Sequence, residues 1–144
     1  MIDDSAQELQ DYAADVASEP EFGFKEFKTS AKLAAQFDKL GIPYRKGMAI
    51  TAVKGVLKGG KPGPTIAILG ELDAIGCPEH PKADPDTGAA HACGHHMQGP
   101  SVIGAALALR DLCKDQPYKI VIYGTPAEET VGGKIIMKEK GCFQ

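Results

Sequence analysis

The chain has 144 residues, of which 43% are hydrophobic and 24% are charged, and its formal net charge at pH 7 is −3. This composition is typical of a globular domain with a sizeable core, and it excludes a disordered chain. The slight acidity gives no sign of a nucleic-acid partner, and no uncharged apolar run reaches the roughly 18 residues of a membrane span.

The N-terminus and the cysteines predict a cytoplasmic protein. The first residues, Met1-Ile2-Asp3-Asp4, are acidic where a signal peptide is basic. Four cysteines would suffice for two disulfides, but in a reducing compartment we expect free thiols. Cys77, Cys113 and Cys142 are then plain thiols, whereas Cys93 has neighbours that indicate chemistry.

Two helices are predicted at the start of the chain. Ser5, with Glu8 three residues later, is typical of a capping box, and the apolar spacing that follows predicts a helix ending near Ser18. A second helix is predicted from about Lys25 to Leu40, and Gly41 is a favourable residue to end it.

Outside these two helices, the chain up to about Gln98 is predicted to form strands and loops. The phenylalanines of Pro20–Phe27 are expected in the core, and Ala49–Leu57 is predicted as a strand. Thr65–Leu69 is a continuous apolar run, which predicts a strand covered on both faces. A long loop is expected from about Glu71 to Gln98, and loops of this length are usually functional or mobile.

The last third of the chain predicts a helix, a strand and a short helix. The helix, from about Pro100 to Cys113, is apolar nearly all round and is expected to be buried. Lys119–Tyr123 is predicted as a buried strand, residues 124–133 as a loop and Lys134–Lys140 as a helix. This alternation favours a parallel α/β sheet with a right-handed crossover.

Groups capable of binding metal or protons follow the predicted strands. They are the sequence His91-Ala-Cys-Gly-His-His96, the pair Glu128-Glu129, and Glu71 with Asp73. Because ligands of open α/β sheets bind outside the carboxyl ends of strands, we expect these groups to converge at one edge. Thiolate, imidazole and carboxylate are ligands of zinc and similar ions.

The spacing fits a hydrolytic site, although other interpretations stay open. In an extended segment Cys93 and His95 point the same way, and of the two adjacent glutamates one can hold a metal while the other takes a water proton. A glutamate pair is, however, more often a solvated loop, and histidine clusters also occur in ordinary loops. A closed structural zinc site of Cys93, His95 and His96 is a further alternative.

Several motifs together resemble one family of enzymes, the metal-dependent amidohydrolases, aminoacylases and carboxypeptidases with dinuclear centres. Within it, the chain is most similar to the branch of aminobenzoyl-glutamate hydrolases and N-acyl-amino-acid amidohydrolases, which also includes hippurate and auxin-conjugate hydrolases. The motifs are Pro20–Phe27, Gly59–Thr65, Gly70–Ala74, Cys77–Pro81, His91–His95, Thr125–Glu129 and Gly132–Met137.

The resemblance implies an α/β fold, a partial three-layer α/β/α sandwich with a mostly parallel sheet. Residues 1–144 would form a single domain, the N-terminal part of a metallohydrolase catalytic domain, without the dimerisation domain of the family. It also implies hydrolysis of the amide bond of N-acyl or N-aroyl amino acids or dipeptides, and a homo-oligomer. Two further histidine ligands normally lie downstream, so we expect low activity from this chain alone, or a non-catalytic module that binds metal or a partner.

The resemblance also implies residue roles. Cys93, His95 and Glu129 would be ligands of divalent zinc or manganese, of which an intact enzyme holds two ions, and Glu128 would be the general base. Asp73, His91 and His96 would surround the ligands or face the substrate. The commonest family form has Asp where this chain has His96, so the role of that position is open.

Overall fold

The computed structural model describes residues 2–130 and 132–144. Met1, in the acidic N-terminus, and Val131, in the predicted loop 124–133, lie outside the described residues. The helices are α1 (Ala6–Ser18), α2 (Phe27–Leu40), α3 (Gln98–Leu112) and α4 (Gly133–Glu139). The strands are β1 (Tyr44–Met48), β2 (Ala52–Lys58), β3 (Thr65–Glu71), β4 (Ile75–Gly76), β5 (Ala89–Ala90) and β6 (Lys119–Thr125).

The first two helices form where their apolar spacing predicts them. Helix α1 buries Tyr12 and Val16, and α2 buries Leu33 and Phe37. Gly41 ends α2 in the left-handed conformation, with a φ of 65° that a glycine adopts without strain. The predicted capping box is wrong: residues 3–5 form a 3-10 turn, and within the described chain the Ser5 side chain does not cap α1.

The main sheet has the strand order β1-β2-β6-β3. Strands β3 and β6 are parallel and are joined by α3, as the alternation of elements predicts. The pairs β1–β2 and β2–β6 are antiparallel, however. The α/β class is therefore confirmed, whereas the prediction of a mostly parallel sheet is wrong, because only one of its three strand pairs within the described residues is a β–α–β unit.

The sheet has helices on both faces, which confirms the three layers. On one face, Val53, Ile120 and Ile122 pack in one core cluster with residues of α1, α2 and α3. On the opposite face, Val121 and Tyr123 alternate with them and pack in a second cluster. That second cluster includes Met137 of α4, Ala49, Ala52 and Cys142. Burial of β6 on both faces makes it the central strand of the fold.

Three burial predictions are wrong. Strand β3 forms, but it lies at the edge of the sheet and its first three residues are exposed. Helix α3 buries Val102, Ile103 and Ala106, whereas Leu112 at its end is exposed, so the helix is covered on one side only. Phe27 is 62% exposed, while its neighbour Glu26 is fully buried.

The long segment between β3 and α3 is irregular apart from β4 and β5, which pair with each other, and the 3-10 turn His95–Met97. Among the described residues, no helix combines the length and the apolarity needed to cross a membrane. All four cysteines are free thiols, as predicted.

Candidate functional site

The site lies where β3 and β6 end. Because the two strands are parallel, their carboxyl ends meet at the same edge of the sheet. The register continues beyond β3, since the Leu72 amide donates to the Thr125 carbonyl over 3.0 Å. Asp73 and the pair Glu128-Glu129 therefore emerge side by side, as the strand-end argument predicts.

His95 lies at the centre of the site, in the 3-10 turn that leads into α3, and it is buried. Its Nδ1 is 3.0 Å from the backbone carbonyl of Asp73 and 3.3 Å from Asp73 Oδ1. Both of these oxygens are acceptors and favour the tautomer with the proton on Nδ1, which leaves the Nε2 lone pair for a metal. Gly94, with a φ of 87°, makes the turn that places the ring.

Three carboxylates surround the Nε2 atom of His95. Glu71 Oε2 is 3.0 Å away, Glu129 Oε1 is 3.5 Å away and Glu128 Oε2 is 3.9 Å away. Among residues 2–130 and 132–144, the set Glu71, His95 and Glu128 offers ligand atoms that all lie within 4.8 Å of one another. Carboxylates gathered round an imidazole lone pair repel one another, and a divalent cation relieves that repulsion. The donor set therefore fits a metal.

Asp73 links the two halves of the site. It is almost fully buried, and its Oδ2 accepts a 2.9 Å hydrogen bond from the backbone amide of Glu129. Its backbone carbonyl lies 3.0 Å from His95 Nδ1, so this one residue supports both the imidazole and the glutamate pair. A buried aspartate that fixes a histidine in one tautomer is a common support of metal ligands.

Cys93 is exposed at the edge of the site. Its thiol donates a hydrogen bond to the Glu129 carboxylate, and this bond, with some burial and the nearby negative charges, raises the pKa of Cys93. The thiol is therefore protonated at neutral pH and must lose its proton to bind a metal. Cys93 and Glu129 lie outside the compact set of Glu71, His95 and Glu128.

Glu71 is the one member of this set without a role in the prediction from sequence. Gln98 holds it twice: the Glu71 amide donates to Gln98 Oε1 and Gln98 Nε2 donates to Glu71 Oε2, each over 2.8 Å. Lys134 of α4 forms an ion pair with Oε1. Burial opposes ionisation, but the bonds from Lys134 and Gln98 outweigh it and lower the pKa of Glu71. The sequence feature that could have identified Glu71 as a site residue is its place at the end of a predicted strand, two residues before Asp73.

His91 and His96 lie together, away from the ligand set. Their ring centroids are 5.5 Å apart, and both rings line a pocket of about 310 Å³. Both ring nitrogens of His91 are buried without a hydrogen-bond partner in the described chain, and burial lowers the pKa of His91 to about 4. Burial and the charge of Lys82 lower the pKa of His96. The other residues that line this histidine pocket are Ala17, His80, Pro81 and Lys82.

The closed zinc site of Cys93, His95 and His96 finds no support in this arrangement. The His96 ring faces His91 and not the carboxylates around His95. A site that uses Glu71, Glu128 or Glu129 stays open on one side, because the Glu128 side chain is 42% exposed. Structural zinc sites are closed, whereas catalytic ones keep an open position.

Residues 67–143 match the sequence profile of peptidase family M20/M25/M40. The chain belongs to this family. Among its curated relatives, the IAA-amino acid hydrolase ILR1-like 2 of Arabidopsis thaliana is 32% identical over 128 residues, covering 87% of this chain and 29% of the relative. A p-aminobenzoyl-glutamate hydrolase of Escherichia coli (strain K12) is 28% identical over 151 residues, covering 99% of the chain and 31% of the relative.

A solved structure of the family has the same fold. The YXEP protein of Bacillus subtilis, described as a dinuclear metal-binding peptidase of the M20 family, superposes with a TM-score of 0.85 and is 28% identical. The match covers 96% of this chain and 40% of that protein. The chain thus spans about a third of the length of these M20 relatives, and the resemblance inferred from its motifs is confirmed.

Proposed function

We propose that the protein hydrolyses the amide bond of N-acyl or N-aroyl amino acids, or of dipeptides, with the help of divalent metal. The observation that carries this proposal is the convergence of three carboxylates on His95 Nε2, while Asp73 fixes the opposite nitrogen. The names of the M20 relatives, which include hydrolases of amino-acid conjugates, support the substrate class.

The residues proposed to hold metal are Cys93, His95 and Glu129, with Glu71 as a further candidate. The imidazole and thiolate suit zinc, and the carboxylates also suit manganese. Two ions are proposed, because the solved M20 relative is described as dinuclear. A divalent ion supplies Lewis acidity, which makes water a better nucleophile and polarises an amide carbonyl.

Glu128 is proposed as the general base. Its carboxylate is the most exposed of the three and the farthest from His95 Nε2, at 3.9 Å. It is therefore the one that an incoming water reaches first. In this role Glu128 accepts the proton of the attacking water and delivers it to the nitrogen of the leaving amine. Glu129, held through its amide by Asp73, is the better-fixed neighbour and suits the ligand role.

Asp73, His91 and His96 are proposed as supporting residues. Asp73 orients His95 and Glu129 through the bonds described above. The histidine pocket is next to the ligand-bearing turn and has unsatisfied imidazole nitrogens beside Lys82. We propose that His91 and His96 face part of the substrate there, since these nitrogens can donate to or accept from a polar group.

The place of this chain in a larger catalytic domain, its oligomeric state and its location are also proposals. Residues 1–144 would be the N-terminal part of a catalytic domain, in keeping with the share of the M20 relatives that they span. We also propose a homo-oligomer and a cytoplasmic location, which the free thiols would suit.

A non-catalytic module with a metal-binding, structural or partner-binding role is the alternative, and one observation favours it. Lys134 neutralises Glu71, and the Cys93 thiol satisfies Glu129, so part of the site is already paired within the chain. Such pairing stabilises the site without a metal and competes with metal binding.

An assay of amide hydrolysis separates the two functions. Hippurate, aminobenzoyl-glutamate and N-acetyl amino acids are each incubated with zinc or manganese, using the 144-residue chain and a longer protein that carries it. The proposal expects metal-dependent turnover in the longer protein, lost in Glu128→Gln. Metal binding without turnover of any amide by either protein would favour the alternative.

A further inference from the structure

The segment Pro20–Phe27 contains a buried acid that the proposed reaction does not use. Glu26 is fully buried, although glutamate is rarely so without a partner. Phe27 beside it is mostly exposed. The fold therefore turns the carboxyl inward and the aromatic ring outward, which is the reverse of what hydrophobic burial alone favours.

The Glu26 carboxyl joins two connections that are far apart in sequence. Its Oε2 accepts a 2.7 Å hydrogen bond from the hydroxyl of Thr51, in the turn between β1 and β2. Its Oε1 accepts a 2.7 Å hydrogen bond from the backbone amide of Ala127. Thr51 is itself almost fully buried, so both bonds lie in a region shielded from water, where they are strong.

Ala127 is the residue directly before Glu128, and its backbone is strained. Its φ of 50° lies in the left-handed region, which an alanine rarely adopts. Such conformations persist only where neighbouring groups hold them. Gly23 of the same segment packs so closely that an added Cβ would lie 2.9 Å from Ala127 Cα. The contact with Gly23 and the Glu26 bond hold this turn from two sides.

The same segment also holds the other half of the site. The amide of Ala74, the residue after Asp73, donates a 2.8 Å hydrogen bond to the Glu21 carbonyl. Asp73 in turn accepts from the Glu129 amide. The segment is therefore tied to both connections that carry site residues, one at Ala74 and one at Ala127.

We propose that Glu26 is a positioning residue, which fixes the direction of Glu128 and Glu129 by holding the strained backbone of Ala127 from within the core. The part of this inference that concerns metal and the reaction depends on the proposed function, but the control of the Ala127 backbone does not. A carboxyl suits the task because its two oxygens accept from two donors on different connections. Glutamine can do the same with one oxygen to Ala127 and its amide facing the Thr51 hydroxyl, which is also an acceptor. Alanine cannot, and aspartate is too short to reach both.

The test combines amide hydrogen exchange with cobalt binding. Native-state exchange is measured on the ¹⁵N-labelled chain, and Co²⁺ affinity and its thiolate absorption band are measured by titration. In Glu26→Ala we expect the Ala127 amide to exchange about tenfold faster or more, with the amides of central β6 unchanged. The Co²⁺ affinity should fall by about the same factor, and the thiolate absorption band should change. Glu26→Gln should restore the slow exchange of the Ala127 amide and the Co²⁺ affinity.

Glu21→Ala is the matched control, because Glu21 lies in the same segment but bonds the first turn of α2, at Lys28 and Thr29. It should leave the Ala127 amide protected. If Glu26→Ala does not fold, Glu26→Asp takes its place, since it keeps the carboxyl group but is one methylene shorter. Ala127 protection that survives in these variants, or that falls equally throughout β6, overturns the inference, as does a Glu26→Gln variant that behaves like the alanine variant. Wild-type chain that binds no cobalt contradicts the proposed metal site, while the exchange measurement still decides the role of Glu26.

Discussion

At the scale of single residues, the candidate ligands are engaged with one another. The Cys93 thiol donates to Glu129, Lys134 pairs with Glu71, and Glu71 also lies 3.0 Å from His95 Nε2. A metal ion that enters the site must replace these contacts, and the proton on Cys93 must leave. Metal affinity is therefore coupled to pH and to the reactivity of one thiol.

The first prediction is that zinc or manganese protects Cys93 from alkylation. Because hydrogen bonding to Glu129 raises the pKa of Cys93, the thiol keeps its proton at neutral pH, and affinity should rise with pH towards that raised value and fall as pH is lowered. The measurement is the alkylation rate by mass spectrometry with and without metal. Half-buried Cys77, another free thiol, is the internal control. Equal effects of metal on both cysteines would contradict the ligand role of Cys93.

The second prediction concerns Glu128 in a longer protein that carries these residues. Glu128→Gln should lower kcat by about a hundred- to ten-thousandfold, because the amide is nearly isosteric but cannot accept a proton from water. Bound metal, measured by elemental analysis, should be unchanged. Glu129→Gln is the matched comparison and should lose metal instead. Metal loss in Glu128→Gln, or full turnover, would give Glu128 a different role.

At the scale of the elements, the β3–α3–β6 unit is the part that the sequence predicts well. Continuous apolar runs mark β3 and β6, and the strand-end rule places Asp73 and Glu128 at the same edge. Strand β1, Tyr44–Met48, has no such run or alternation, and its register shifts near Lys46. The antiparallel place of β2 beside β6 is set by packing of distant segments, which no local pattern reveals.

The same limit applies to the site. Glu71 could be placed at a strand end, but its bonds to Gln98 and Lys134 depend on where α3 and α4 begin in space. The burial of Glu26 could not be predicted for a similar reason, because its hydrogen-bond partners are 25 and 101 residues away in the sequence. Local spacing finds the residue types of the chemistry, whereas tertiary packing decides which acids meet.

The third prediction tests how α2 packs on β2. A Cβ on Gly55 would lie 2.8 Å from the Phe37 ring, and Phe37 is fully buried. Gly55→Ala should cost about 1–3 kcal/mol of unfolding free energy by overpacking, and Phe37→Ala about 3–5 kcal/mol by leaving a cavity. In the double variant the alanine has room, so the two costs should not add.

Urea unfolding followed by circular dichroism measures these free energies. Gly76→Ala is the matched control, because its Cβ would meet Phe22 at an ordinary 3.9 Å. That variant should change stability by less than about 0.5 kcal/mol. Additive costs at Gly55 and Phe37 would show that the ring does not limit the space at this glycine.

At the scale of the whole molecule, the two edges of the main sheet differ. The β1 edge carries Arg45 and Lys46 and a register shift, features that discourage strand pairing. The β3 edge presents apolar side chains, with Ile66 47% exposed and Leu69 40% exposed. An edge strand of this kind can pair with a strand from another chain, and the small net charge of −3 opposes such pairing only weakly.

The last prediction is that the 144-residue chain self-associates through β3. We expect light scattering after size exclusion to give a dimer or larger assembly whose share rises with protein concentration, since pairing satisfies the outer backbone groups of β3 and covers its apolar side chains. Ile66→Lys should shift the chain towards monomer. Ile50→Lys is the matched control, because Ile50 is also exposed, at 55%, but lies in the turn between β1 and β2, at the opposite side of the sheet from β3. A wild-type monomer at every concentration, or equal effects of the two lysines, would show that β3 does not drive association.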